Sequence, residues 1–309
     1  MLLDETARGV FVISVTPFTE DGSLDLDSTD RLVDFYREKG ATGLTVLGMM
    51  GEAPKLTADE SAAFVQRVLD RAGSDLPVVV GVSAPGFAAM KELSDRVMQM
   101  GAAGVMVAPP SALRTDQQLY GYFTGVADVI GADVPFVLQD FPLATSVQMS
   151  ADLIIRIIRD VPSCVMLKHE DWPGLAKIDA LRAAGRKDGL RRISILAGNG
   201  GMFLPEELRR GSDGAMTGFG YPEMMADVQA AHDRGDTDRA QDLFDAYLPL
   251  ARYEQQPGLG LALRKAILAR RGAIASAHAR RPAPKLSPAD MADIEFLITR
   301  QERRLKELN

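Results

Sequence analysis

The stretch "SCVMLKHEDWPG", Ser163 to Gly174, places a lysine directly after the apolar run Cys164, Val165, Met166, Leu167 and follows it with His169, Glu170 and Asp171. A short run of this kind reads as a strand covered on both faces, the pattern of a parallel sheet enclosed by helices. An ammonium group there is costly unless it is paired or gives up its proton. One reading of Lys168 is therefore chemical, since burial favours the neutral amine and a neutral amine attacks carbonyls. The other is that the strand ends at Leu167 and Lys168 meets solvent. The rest of the chain has to choose between them.

Working outward, similar runs recur on both sides: "FVISVTPF" (11–18), "GLTVLG" (43–48), "PVVVGVS" (77–83), "GVMVAPP" (104–110), "PFVLQDFP" (135–142), "ISILAGNG" (193–200) and "DGAMTGF" (213–219). Helical patterns separate them. "TADESAAFVQRVLDRAG" (57–73) opens with Thr57 as N-cap and Glu60 three residues later, a capping box, then sets Phe64, Val65 and Leu69 at helical spacing. "SADLIIRIIRDV" (150–161) repeats the design with Ser150 ahead of Ile154, Ile155, Ile157 and Ile158. Strand–helix units repeating every ~25 to 35 residues predict an α/β fold, a closed (β/α)8 TIM barrel. An open doubly wound sheet is the alternative, but no glycine-rich phosphate loop of the dinucleotide type follows the first strand. After Gly220 the strand pattern stops and several helical segments follow, among them "LGLALRKAILARRG" and "SPADMADIEFLITRQERRLKEL". The expected division is a barrel catalytic domain over 1–223 and a C-terminal helical domain over 224–309.

Composition narrows the partners. With 46% hydrophobic and 25% charged residues, the 309-residue chain reads as an ordinary soluble globular protein. A net charge of −7 argues against a nucleic-acid partner, and the short basic stretch "HARRP" (278–282) reads as a solvated surface patch. Cys164 is the only cysteine, and His169, His232 and His278 stand at no ligand spacing, so neither a disulfide nor a metal is expected. The acidic amino terminus "MLLDETARG" does not read as a signal peptide. No segment approaches eighteen uninterrupted apolar residues, so no membrane partner is expected and a cytoplasmic location is the default.

In a parallel barrel, catalytic residues project from the carboxyl ends of the strands. The stretches so placed are "GMMGE" (48–52), Pro109 to Ser111, "QDFP" (139–142), "KHE" (168–170), "GNGG" (198–201) and "TGFG" (217–220), and Lys168 is the only lysine among them. Residues two apart on a strand face the same side, so Lys168 and Glu170 could share one pocket with His169 turned away between them. Glu170 as a solvated loop acid and Gln139 as a satisfied core amide remain open on this evidence. The glycines of "GNGG" fit either close approach of substrate to backbone or tight-turn geometry.

Taken in order, these segments resemble the dihydrodipicolinate synthase and N-acetylneuraminate lyase superfamily, class I aldolase-type barrels with a helical C-terminal domain. The likeness rests on "VTPFTEDGSLD" near the start, "GMMGE" as a GxxGE loop, the strand-six lysine in "MLKHE" and "GAMTG" before the terminal helices. It implies that Lys168 forms a Schiff base with a small-molecule 2-keto acid, that no cofactor is needed beyond this covalent imine, and that the assembly is a homotetramer, a dimer of dimers. Several positions depart from the synthase pattern. Gln139 stands where a tyrosine is usual and Asp140 where an asparagine is, Met49 and Met50 replace a threonine pair, a further tyrosine is lost near Ser111, and an arginine position falls at Ala144. The L-2-keto-3-deoxyarabonate dehydratase branch is similar in having Q-D-x-P and K-x-E at these places. That likeness implies Lys168 as nucleophile, Glu170 as acid–base group and Gln139 beside them, acting on a 2-keto-3-deoxy sugar acid to give 2-oxoglutarate semialdehyde. Substrate contacts are expected from Gly48, Met49, Met50, Gly51 and Glu52 through backbone N–H groups, with the methionine side chains as packing and Glu52 fixing the loop. Further contacts are expected from Asp140, Gly198, Asn199, Gly200 and Thr217. A retro-aldol lyase releasing pyruvate, and a non-catalytic 2-keto-acid-binding homologue, are the competing readings.

Overall fold

A computed structural model describes residues 1–172 and 174–308. Its strands are β1 (Gly9–Ile13), β2 (Gly43–Val46), β3 (Val78–Gly81), β4 (Gly104–Val107), β5 (Phe136–Asp140), β6 (Cys164–His169), β7 (Ser194–Ala197) and β8 (Gly214–Thr217). They close in sequential order into one parallel barrel, with Val10 of β1 opposite Ala215 of β8 and Phe11 opposite Met216. That closure removes the open-sheet alternative. Each strand grows from one of the apolar runs, because a sheet covered on both faces needs apolar residues at consecutive positions.

Alternation along the strands then sorts side chains into two layers. Phe11, Val79, Met106, Val137, Met166, Leu196 and Met216 form one buried cluster, the filling of the barrel. Their neighbours Val10, Val12, Val80, Val105, Leu138, Leu167 and Ile195 join the helix side chains in the larger outer cluster. Stepping two residues from Met166 puts Lys168 on the inner side, and stepping two from Val137 does the same for Gln139. Asp140 and His169 therefore face outward, toward the helices.

Helices lie between the strands, and their starts follow the expected chemistry. Thr57 accepts from the Glu60 amide while the Glu60 carboxylate accepts from the Thr57 amide, and Ser150 accepts from the Leu153 amide. After β8 come helices Glu223–Asp233, Thr237–Glu254, Gly260–Arg270 and Pro288–Glu307. The first packs against β1, β8 and helix Leu204–Arg209, completing the outer ring, and also lies along Thr237–Glu254. Helix Gly260–Arg270 is buried nearly all round, including Arg264 and Lys265. The "HARRP" stretch is not simply a solvated patch. Arg280 ion-pairs with Glu60, stacks 4.4 Å from the Phe18 ring centroid, and donates its backbone N–H to Glu52 at 3.0 Å, which leaves Arg281 and Pro282 outside. No helix among the described residues is long and apolar enough to cross a membrane.

Candidate active site

The pairing of β5 with β6 sets Gln139 beside Lys168, both aimed into the carboxyl-terminal mouth of the barrel. Lys168 Nζ lies 3.1 Å from Glu170 Oε2, and Gln139 Nε2 donates to that same oxygen at 2.7 Å. Glu170 sits one residue beyond the end of β6, yet it keeps the strand's direction. Its amide donates to the Asp140 carbonyl at 2.9 Å, and its own carbonyl accepts from Asn199 Nδ2 at 2.9 Å. Lys168 is 5% exposed and Glu170 4%, so neither the solvent-facing lysine nor the solvated loop acid describes the molecule. An amine and a carboxylate buried in contact can exchange a proton, leaving a nucleophilic amine beside a carboxylic acid.

These groups open onto a cavity of about 180 Å³. Of the residues expected at the site, Gln139, Lys168, Glu170, Met49, Met50, Asn199, Gly200 and Thr217 line it. Thr217 Oγ1 accepts the Gly200 amide at 2.8 Å and so fixes the turn after β7 against β8. Others are elsewhere. Gly48 and Glu52 line a neighbouring cleft of about 700 Å³ that meets the first at Met49 and Gln139. The Gly51 carbonyl accepts from Thr16 Oγ1 at 2.6 Å. Glu52 adopts a left-handed backbone, φ 56°, and holds Lys265 at 2.6 Å and Lys55 at 2.9 Å, which anchors the loop rather than facing a ligand.

Gly198 serves a neighbour. A methyl group there would overlap Glu170, whose Cδ would lie only 2.7 Å away, so the glycine makes room for the carboxylate side chain. Asp140, expected among the substrate contacts, lies outside the cavity because strand alternation turns it outward. It pairs with Lys177 Nζ at 2.6 Å, and burial pushes its carboxyl up to about 6 against that pull. Burial likewise drives the His169 imidazole down to about 4, so it stays neutral at physiological pH.

The cavity is completed by Phe141 and Gly218, from two of the stretches expected at the mouth, and by Ile13, Gln255 and Arg264, which were not anticipated. Ile13 was accessible by alternation from Phe11. Gln255 and Arg264 belong to the helical region and reach the mouth only through tertiary docking, although basic residues inside the apolar pattern "LGLALRKAIL" were a signal. Among the described residues no group of three or more His, Cys, Asp or Glu side chains is placed to hold a metal ion.

Comparison with known proteins points to one family. The sequence profile of the dihydrodipicolinate synthetase family matches residues 6–301. An L-2-keto-3-deoxyarabonate dehydratase from Azospirillum brasilense is 32% identical over 304 residues, 95% of this chain and 94% of that one. A 4-hydroxy-tetrahydrodipicolinate synthase from Thiobacillus denitrificans is 31% identical over 79% of this chain and 81% of its own length. A crystal structure of dihydrodipicolinate synthase from Rhodopseudomonas palustris superposes with a TM-score of 0.95 at 51% identity, covering 97% of this chain and 99% of the other. A barrel with a buried lysine on its sixth strand and a profile match over nearly its whole length thus lead to one placement: the chain belongs to the dihydrodipicolinate synthetase family.

Proposed function

We propose that this chain is a Schiff-base-forming dehydratase of a 2-keto-3-deoxy sugar acid, of the L-2-keto-3-deoxyarabonate type, yielding 2-oxoglutarate semialdehyde. The observation that carries the reading is the buried contact of Lys168 with Glu170, with Gln139 bound to the same carboxylate oxygen. Glu170 takes a proton from the ammonium, and the free amine adds to the keto carbon C2 and expels its oxygen as water. The resulting iminium acidifies C3, from which Glu170 removes a proton to give the enamine. The enamine electron pair then expels the C4 hydroxyl, which leaves as water with the proton that Glu170 returns. A proton shift from C5 to C3 gives an enol across C4 and C5, which loses its hydroxyl proton as C4 takes one up to form the aldehyde, and hydrolysis of the imine frees Lys168. The net change is loss of one water. Gln139 donates to Glu170 throughout and keeps the carboxylate pointed at C3 and C4.

The 32% identity to the A. brasilense dehydratase supports this reading. The synthase name is carried by other relatives, among them the R. palustris structure at 51% identity, and what favours the dehydratase over it is the departure of Gln139, Met49 and Met50 from the synthase pattern. Among the described residues lining the lysine cavity Thr217 supplies a hydroxyl, and no tyrosine does. The test is incubation with a 2-keto-3-deoxypentonate and borohydride, followed by peptide mass spectrometry and product analysis. The expected result is an adduct on Lys168 and semialdehyde as product. In Glu170→Gln the trapped adduct should carry the mass of intact substrate. Pyruvate and a two-carbon aldehyde as products would replace this reading with the retro-aldol one.

A further inference from the structure

The lysine cavity has a second polar wall that the proposed chemistry does not use. Arg264 is 2% exposed, donates Nε to Glu254 Oε1 at 2.7 Å, and its Nη1 is buried with no hydrogen-bond acceptor among the described residues. Gln255 Nε2 is buried and equally without an acceptor among them. Both side chains line the cavity that contains Lys168 and Glu170. Two glycines make space for them. A methyl group at Gly218 would overlap the Arg264 guanidinium, and one at Gly200 would overlap the Gln255 amide. Buried N–H groups without acceptors are rare because each forfeits the hydrogen bond that water would give it. Two such donors on residues lining one cavity point to an oxygen acceptor carried by a ligand.

The charge balance narrows the acceptor further. The Arg264 guanidinium is already matched by the Glu254 carboxylate, which also accepts the Gly220 amide at 2.8 Å, and Gln255 is neutral. A second anionic group on the ligand would find no uncompensated cation here, whereas a hydroxyl oxygen would find two donors. These donors enter from the side of β7 and β8, while the reactive lysine sits between β5 and β7. We propose that Gln255 and Arg264 bind the terminal hydroxyl of the 2-keto-3-deoxy acid and so set the chain length of the substrate. This rests on the dehydratase reading and adds to it a length-reading end supplied by the helical region.

The test compares a ligand that has the terminal hydroxyl with one that does not. Wild type, Gln255→Met and Arg264→Lys are assayed with a 2-keto-3-deoxypentonate for KM and kcat, and with pyruvate for the concentration that half-saturates borohydride trapping. Arg264→Lys keeps a cation beside Glu254, and Gln255→Met keeps the side-chain length, so that if one variant fails to fold the other still decides. The expected result is a rise in KM for the pentonate of about ten- to a hundredfold, the range for one lost donor in a buried site. Half-saturation by pyruvate should stay within about twofold. Equal weakening of both ligands, or no change for the pentonate, would overturn the proposal. If wild type is trapped by neither compound, the Schiff-base reading itself falls, and this inference with it.

Discussion

Replacing Gly198 by alanine tests the site through one methyl group that touches no substrate. Gly198 has φ −107° and ψ −143°, so its backbone is not in the left-handed region. The side chain does not fit. Its Cβ would stand 2.7 Å from Glu170 Cδ and 2.8 Å from Oε1, and nearer still to Cγ, inside the 3.0 Å that real Cβ contacts essentially never cross. Glu170 must therefore rotate or retreat by on the order of 1 Å, a misplacement that costs about a hundredfold in rate when the group reacts. That corresponds to about 2.7 kcal/mol of transition-state stabilisation, within the range expected of one acid–base group. The same movement breaks the 2.7 Å bond from Gln139 and the 3.1 Å contact with Lys168. Lys168 itself is untouched, so the imine should still form. The assay pairs steady-state turnover of a 2-keto-3-deoxypentonate with borohydride trapping, and thermal melting serves as the control for folding. The expected outcome is kcat reduced about a hundredfold with intact substrate trapped on Lys168. A folded Gly198→Ala protein turning over within a factor of about two of wild type would show that the position of the carboxylate does not matter, and with it the acid–base role would fall.

Lys168→Ala should lose turnover by several orders of magnitude and also melt earlier, because Glu170 loses its buried partner; retention of more than about a hundredth of the activity would refute the covalent route. Turnover should survive EDTA, since an imine performs the activation that a metal would otherwise supply; loss on chelation with recovery on adding a divalent ion would refute it. Burial pushes the Glu207 carboxyl up to about 8, so the folded chain keeps a proton that the unfolded chain releases above its ordinary 4.5. The folded state thus binds more protons across that window, and stability should fall as pH rises from about 4.5 to 8. Asp140, raised to about 6, adds to the slope at its acidic end, while the His169 imidazole, driven down to about 4, opposes it there. Glu207→Gln should flatten the fall in urea midpoint between pH 5 and 8, and an unchanged slope would refute the assignment.

The barrel was legible because each strand is buried on both faces and so writes itself as an unbroken apolar run. Lys168, Glu170 and Gln139 were legible for a related reason: strand period and the step from one strand to the next place polar residues at the ends of such runs in one mouth. The same period, applied to Gln139 and Asp140 together, turns Asp140 away from the mouth, as it does His169; the motif Q-D-x-P had drawn both into the site. "GNGG" was read as room for substrate or as a turn, and part of that room holds side chains distant in sequence, Glu170 against Gly198 and Gln255 against Gly200. Nothing local encodes such neighbours. Gln255 and Arg264 were missed for that reason, since helical periodicity reports which residues a helix buries and not what it is buried against.

Arg264 and Lys265, consecutive on one helix, face two different loops of the mouth. Arg264 holds Glu254, whose other oxygen accepts the Gly220 amide just after β8. Lys265 holds Glu52 at the end of the "GMMGE" loop after β2 and donates to the His278 carbonyl at 2.7 Å. Phe18 lies beneath Lys265 at 4.5 Å and beneath Arg280 at 4.4 Å, so the segment around 280 crosses the same loop from outside. Buried ion pairs of this kind are a weak source of stability, because desolvation of the two charges offsets most of their attraction and apolar replacements often do as well. Their geometry is directional, since each carboxylate is held by donors at hydrogen-bond distance. Here two such pairs fix the β2 and β8 loops to a single helix on either side of the cavity that holds Lys168. The helical region thus borders the candidate site on two sides: it holds Glu52, at the end of the loop that carries Met49 and Met50, and it carries Gln255 and Arg264 into the cavity wall.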